Sequence, residues 1–168
     1  MMHKYLIFCF AWLTFISCKE TPSAPVTPGD PNNPPKYSKS DLKKLRWIKG
    51  NWKTDLDGPG FYQNYTFTSD TSLNILSYQF NGTDTSANAT SIVYWSNNHI
   101  YLGPNKEWVA VLLTDNELLL SPTRLGWHTI HWTVNKEKET WTAVHKRPDF
   151  TRTIKMKRHI PLSEMLKK

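Results

Sequence analysis

Phe61-Tyr62-Gln63-Asn64-Tyr65-Thr66-Phe67-Thr68 is the stretch on which the fold turns. Phe61, Gln63, Tyr65 and Phe67 fall on one parity, and Tyr62, Asn64, Thr66 and Thr68 on the other. A period of two, rich in aromatic and β-branched residues, marks a strand, because successive side chains leave a strand on opposite faces. The same grammar repeats in both directions. Candidate strands cover 51–56, 60–68, 72–81, 89–96, 99–103, 107–114, 117–121, 127–135, 140–146 and 150–158. Turn formers separate them: Asp57-Gly58-Pro59, Ser69-Asp70, Asn81-Gly82, Asn97-Asn98, Gly103-Pro104-Asn105, Asp115-Asn116, Asn135-Lys136 and Pro148-Asp149. Connections this short leave no room for crossover helices, so the sheet is antiparallel. A long meander must hide its edges, and closing on itself is the simplest way. The expected fold is therefore all-β: an antiparallel up-and-down barrel of about eight to ten strands.

A short helix precedes the strands. Ser38-Lys39-Ser40-Asp41 has capping-box spacing, and Leu42, Leu45 and Ile48 recur every third residue. Gly50 stands just past the end, at the usual stop position. Composition agrees with one globular domain. The 168 residues are 39% hydrophobic and 13% aromatic, enough for a core. Both cysteines, Cys9 and Cys18, lie in the first eighteen residues. The domain that follows has no disulfide framework, no thiolate zinc site and no thiol nucleophile.

Leu45-Arg46-Trp47-Ile48-Lys49-Gly50-Asn51-Trp52 resembles the start of a lipocalin-like domain, where a short helix runs into Gly-x-Trp at the head of the first strand. In the broader calycin group, a basic residue late in the last strand packs across that tryptophan and seals one barrel end. The resemblance assigns these barrel-closing roles to Trp52 and Arg158. It is similar over about residues 42–158 to bacterial lipoproteins carrying such a domain.

The N-terminus carries its own signal. Residues 5–17 are uncharged, and thirteen residues suit a signal-peptide core but fall short of the roughly 20 that span a bilayer. Phe15-Ile16-Ser17-Cys18 resembles the lipobox of bacterial lipoproteins. The resemblance implies acylation of Cys18, removal of what precedes it, and a lipid-anchored protein of the cell envelope, at the outer membrane or cell surface. Residues 19–37 then hold six of the eleven prolines, at 22, 25, 28, 31, 34 and 35, and suit an extended spacer. The expected organisation is a signal peptide over 1–17, the lipidated cysteine and proline-rich tether over 18–37, a barrel over 38–160 and a basic tail over 161–168.

Small barrels can enclose one ligand. Parity places His128, Ile130, Trp132 and Val134 on one face, and Phe150, Arg152, Ile154, Met156 and Arg158 on one face, both read as inward. Arg152 among apolar neighbours needs a carboxylate, a ligand anion or an open, wet mouth. The candidate ligand site is Arg152, Trp132, His128, Tyr65, Tyr78 and Trp141, with aromatics supplying area and Arg152 orienting an anion. His128 and His131 leave a strand on opposite faces and cannot share a metal, whereas His128 and His145 can share a face. Two histidines make a weak metal site, and no metal or cofactor is expected. No nucleophile-elbow, zincin or Walker-like motif occurs, so no catalytic residue is assigned. Asp55 and Asp57 beside Gly58-Pro59 suit a turn better than a glycosidase pair.

Charge is uneven. Residues 146–168 hold eight basic side chains against Asp149 and Glu164, while residues 18–145 balance to zero. Outward lysines such as Lys155 and Lys157 on the last strand guard against edge pairing; the alternative is attraction to an anionic partner or lipid headgroup, and nucleic acid does not suit an exported, tethered domain. Three functions remain: a membrane-anchored barrel binding a small apolar or amphipathic, anionic ligand; a filled barrel that binds another envelope protein; and, third, a barrel isomerase.

Overall fold

The computed structural model describes residues 27–55, 60–80, 85–160 and 164. The signal segment, Cys18, the 57–59 and 81–82 turns and most of the 161–168 tail lie outside the described residues. Ten strands run in order: β1 Gly50–Thr54, β2 Gly60–Ser69, β3 Ser72–Phe80, β4 Thr85–Ser96, β5 His99–Leu102, β6 Trp108–Leu113, β7 Glu117–Pro122, β8 Thr129–Asn135, β9 Thr140–Arg147 and β10 Phe150–Arg158. Each pairs antiparallel with its sequence neighbours, and β10 returns to β1 with Trp52 opposite Arg158. The chain is thus a closed, antiparallel, up-and-down barrel, as the alternation and turn spacing imply. β4 starts four residues earlier than its apolar pattern suggests. Thr85, Ser86 and Ala87 pair in register with Phe80, Gln79 and Tyr78 of β3.

The helix is a 3₁₀ helix over Lys39–Ile48. Its spacing explains this. Side chains three apart eclipse in a 3₁₀ helix, so Leu42, Leu45 and Ile48 form one straight line, and all three are fully buried. On an α-helix the same spacing drifts off the face. The Ser38 N–H donates to Asp41 Oδ2 at 2.7 Å, satisfying one free donor of the first turn.

The helix and the end of β10 close one end of the barrel. Arg158 lies with Cζ 4.0 Å from the Trp52 ring centroid. Its guanidinium donates to the carbonyls of Lys49 and Trp47, while Trp52 Nε1 donates to that of Ile48 at 2.6 Å. Three carbonyls that the helix terminus leaves free are thereby paired. Gly50 has φ +114°, and a Cβ there would lie 2.6 Å from Arg158 Nη1. Gly-x-Trp therefore has a local cause: the glycine yields space to the arginine, and the tryptophan supplies the face it stacks on.

The middle of the barrel is filled with aromatic rings. Trp141 meets Trp52, Tyr65 and Trp132 at centroid distances of 6.3, 5.8 and 5.6 Å, and Tyr65 meets Trp132 at 6.0 Å. All four are buried. Around them pack Leu73, Ile75, Val93, Ile100, Leu118, Leu120, Ile130 and Met156.

Residues 27–37, part of the proline-rich spacer, lie against the outer wall. The Gly29 N–H donates to Val111 O at 2.8 Å and the Tyr37 N–H to Asn98 O at 2.7 Å. Trp95 Nε1 donates to Tyr37 O at 2.7 Å.

Candidate functional site

The two barrel ends differ. The helix and the β2–β3, β4–β5, β6–β7 and β8–β9 turns occupy the closed end. The opposite end carries the β5–β6, β7–β8 and β9–β10 connections. Here the inward-facing side chains become polar.

Tyr65 sits at the level of the aromatic cluster. Burial pushes its phenol well above the usual tyrosine value, so the hydroxyl stays protonated. It donates to Gln63 Oε1 at 2.9 Å, and Gln63 Nε2 donates to Ser77 Oγ at 3.2 Å. Gln63 is one inward position nearer the open end than Tyr65. Trp141 Nε1 is buried with no partner among the described residues. Most buried polar atoms are paired, so this N–H is a free donor inside the barrel.

Two histidines stand at the opening. His145 Nδ1 and His128 Nε2 are 2.9 Å apart, and one ring donates to the other. Burial, then His128 and Arg152, push His145 down to about 4. Burial and Arg147 lower His128. Two rings sharing one hydrogen bond keep it only while at least one is neutral. Trp108 Nε1 donates to His128 O at 2.9 Å, fixing the start of β8. Arg152 is paired in register with His145 and Ile130 lies opposite that histidine, so one inward row runs across β8, β9 and β10.

The six candidate ligand residues divide three ways. Tyr65, Trp132 and Trp141 form the floor. His128 and Arg152 are at the rim, and Arg152 is exposed. Tyr78 belongs elsewhere: it stacks on Tyr62 at 5.3 Å, in a separate cluster on the outer wall. Apolar residues of β3 switch parity, from Leu73 and Ile75 to Leu76, Tyr78 and Phe80, and the register shifts between Ser77 and Tyr78. Parity alone cannot say which set faces inward.

Gln63 and Ser77 were not among the sequence candidates. The signal was present in Gln63, a polar residue on the parity of Phe61, Tyr65 and Phe67. His131 faces away from His128 and contacts Glu117 at 3.0 Å. Among the described residues, no three His, Cys, Asp or Glu side chains converge on one point.

One groove among the described residues lies at the closed end, where Lys43 and Arg46 of the helix face Phe67, Ser69 and Asp70. Another, of about 650 Å³, lies on the outside of the wall between Pro31 and Pro34 of the docked segment and the 122–127 connection.

Fold and site together define a closed ten-stranded barrel with one sealed and one polar end, an architecture consistent with a lipocalin-like fold. Comparison with protein-family models, curated proteins and solved structures finds no match.

Proposed function

We propose that the protein is a binding barrel that takes a small amphipathic anion at its open end, held at the cell envelope by a lipid on Cys18. The supporting observation is the inward polar set, Gln63–Ser77, His128–His145 and Arg152, standing above a filled aromatic floor with a free Trp141 N–H. In this reading the floor excludes long insertion, so an apolar tail rests shallowly on Trp132 and Trp141 while the head meets Arg152. The cationic arginine selects an anion over a neutral or cationic head.

The test uses the full chain with dodecanoate as probe, in calorimetric titration, and native mass spectrometry of protein taken from its own envelope. Arg152→Ala weakens dodecanoate about tenfold, the loss of one charge-assisted contact. Absence of binding, or binding indifferent to the substitution, rejects the site.

The second reading is a filled barrel that recognises another envelope protein. The packing of Trp52, Tyr65, Trp132 and Trp141 favours it. A stoichiometric protein partner cross-linked in the envelope, with no small molecule retained, selects that reading.

A further inference from the structure

Four large apolar side chains are strongly exposed among the described residues, and three of them are at the open end: Leu125 at 102%, Trp127 at 39% and Phe150 at 40%. Leu125 stands at the tip of the β7–β8 connection, beside Gly126, whose φ of +80° turns the chain and around which a Cβ would meet nothing within 4 Å. Nothing within the barrel uses this leucine. Phe150 opens β10 in the adjacent β9–β10 connection, and β8 pairs with β9 at that end through Thr129 and Lys146.

The surrounding charge is mostly basic. The β7–β8 connection contributes Arg124, and residues 145–152 contribute Lys146, Arg147 and Arg152 against Asp149. That carboxylate is already paired with Arg147 at 3.0 Å. Cation and ring are matched: Arg124 lies over Trp127 at 5.7 Å and Arg147 over Phe150 at 5.5 Å. Trp127 is braced from beneath by Trp108, 4.9 Å away. The closed end differs. Its turns present Ser69, Asp70, Asn97, Asn98, Asp115, Asn116 and the mixed-charge run 136–139, and the fourth exposed apolar side chain, Ile160 at 42%, stands alone just after β10.

We propose that the open end docks on an anionic lipid bilayer, inserting Leu125, Trp127 and Phe150 to headgroup depth while Arg124, Lys146 and Arg147 meet the phosphates. A protein partner would have to match a fully exposed loop-tip leucine with a specific pocket. A bilayer needs no pocket, and the arrangement of indole, aliphatic tip and flanking cations suits the polar–apolar boundary. Each cation near an anionic surface contributes a roughly fivefold gain in partitioning. The surface is separate from the acyl anchor proposed at Cys18. The inference goes beyond ligand binding, and the side chains that enter the bilayer or meet phosphates, Arg152 aside, are not those of the ligand site.

The test is hydrogen–deuterium exchange on the full chain, in solution and on two kinds of vesicle: phosphatidylcholine alone, and an equimolar mixture with phosphatidylglycerol. Because it reads local protection, anchoring through the N-terminus does not mask the result. Peptides covering 122–128 and 147–152 gain protection on the mixed vesicles, and peptides of β2 and β3 do not change. Arg124→Gln together with Lys146→Gln lowers the docking equilibrium read from rim protection roughly thirtyfold, and Leu125→Glu lowers it roughly tenfold or more. Unchanged β2 and β3 protection in the variants shows that they are folded. Equal rim exchange on mixed vesicles and in solution overturns the proposal, as does equal protection on phosphatidylcholine alone. Rim protection conferred by lipid-free envelope proteins but not by vesicles assigns the patch to a protein instead and also overturns it. Monomeric dodecanoate is the separating control: protection near His145 with no vesicle effect leaves ligand binding standing while docking falls.

Discussion

The two ends of this barrel use the same kinds of residue to opposite effect. At the closed end Arg158 lies on Trp52, and its guanidinium hydrogens are spent on helix carbonyls. At the open end Arg124 lies over Trp127, and Arg152 is exposed beside a histidine pair. An arginine over an indole is therefore not a function in itself. Where backbone acceptors surround the cation it is structural, and where they are absent it remains available to something outside the chain.

The contrast can be broken most severely at the closed end. Trp52→Ala removes a ring that is 1% exposed together with its hydrogen bond to Ile48 O. It costs about 3–5 kcal/mol in urea unfolding, the range for truncating a large buried aromatic. Gly50→Ala sharpens the point with a single carbon. Strain at φ +114° and the approach of Arg158 make the expected loss roughly 2 kcal/mol, read as a lower urea midpoint at unchanged slope. A midpoint unchanged by this substitution would show that the latch tolerates a Cβ.

The smallest effect belongs to the open end and is read by pH. The folded chain holds His145 at about 4, below the ordinary 6.5. Between those values the unfolded chain takes up a proton that the folded chain refuses. The contribution is therefore fully present above pH 6.5, falls as the pH is lowered toward about 4, and is gone below it. With allowance for partial exposure, the loss is about 1–2 kcal/mol. His145→Gln removes this slope from a plot of urea midpoint against pH; persistence of the slope would place its origin elsewhere.

Much of the architecture was written locally. Alternation through 61–68 specifies a strand, and the turn formers specify antiparallel neighbours. The triplet Leu42, Leu45 and Ile48 even encodes the tighter helix, since a strict period of three belongs to 3₁₀ geometry. What escaped was what depends on height and handedness. Parity puts Arg152 in a row with Ile130 and His145, but not whether that row lies at mid-barrel or at a wet rim. It cannot choose the inner set in β3, where a register shift leaves Tyr78 outside. The docked segment 27–37 was equally hidden. Prolines announce extended backbone, and their carbonyls give no sign of which wall will receive them.

The Trp52–Arg158 latch also bears on how the molecule is assembled. Arg158 Nη2 reaches Trp47 across 111 residues of chain, whereas every seam but the β1–β10 seam joins strands adjacent in sequence. Adjacent strands can zip as hairpins while the chain is short, but this seam must bring the chain's two distant ends together. Seen this way the molecule is a ring with a single cut between Gly50 and Arg158. The residues that cap the helix are also the clasp that turns a curved ribbon into a barrel.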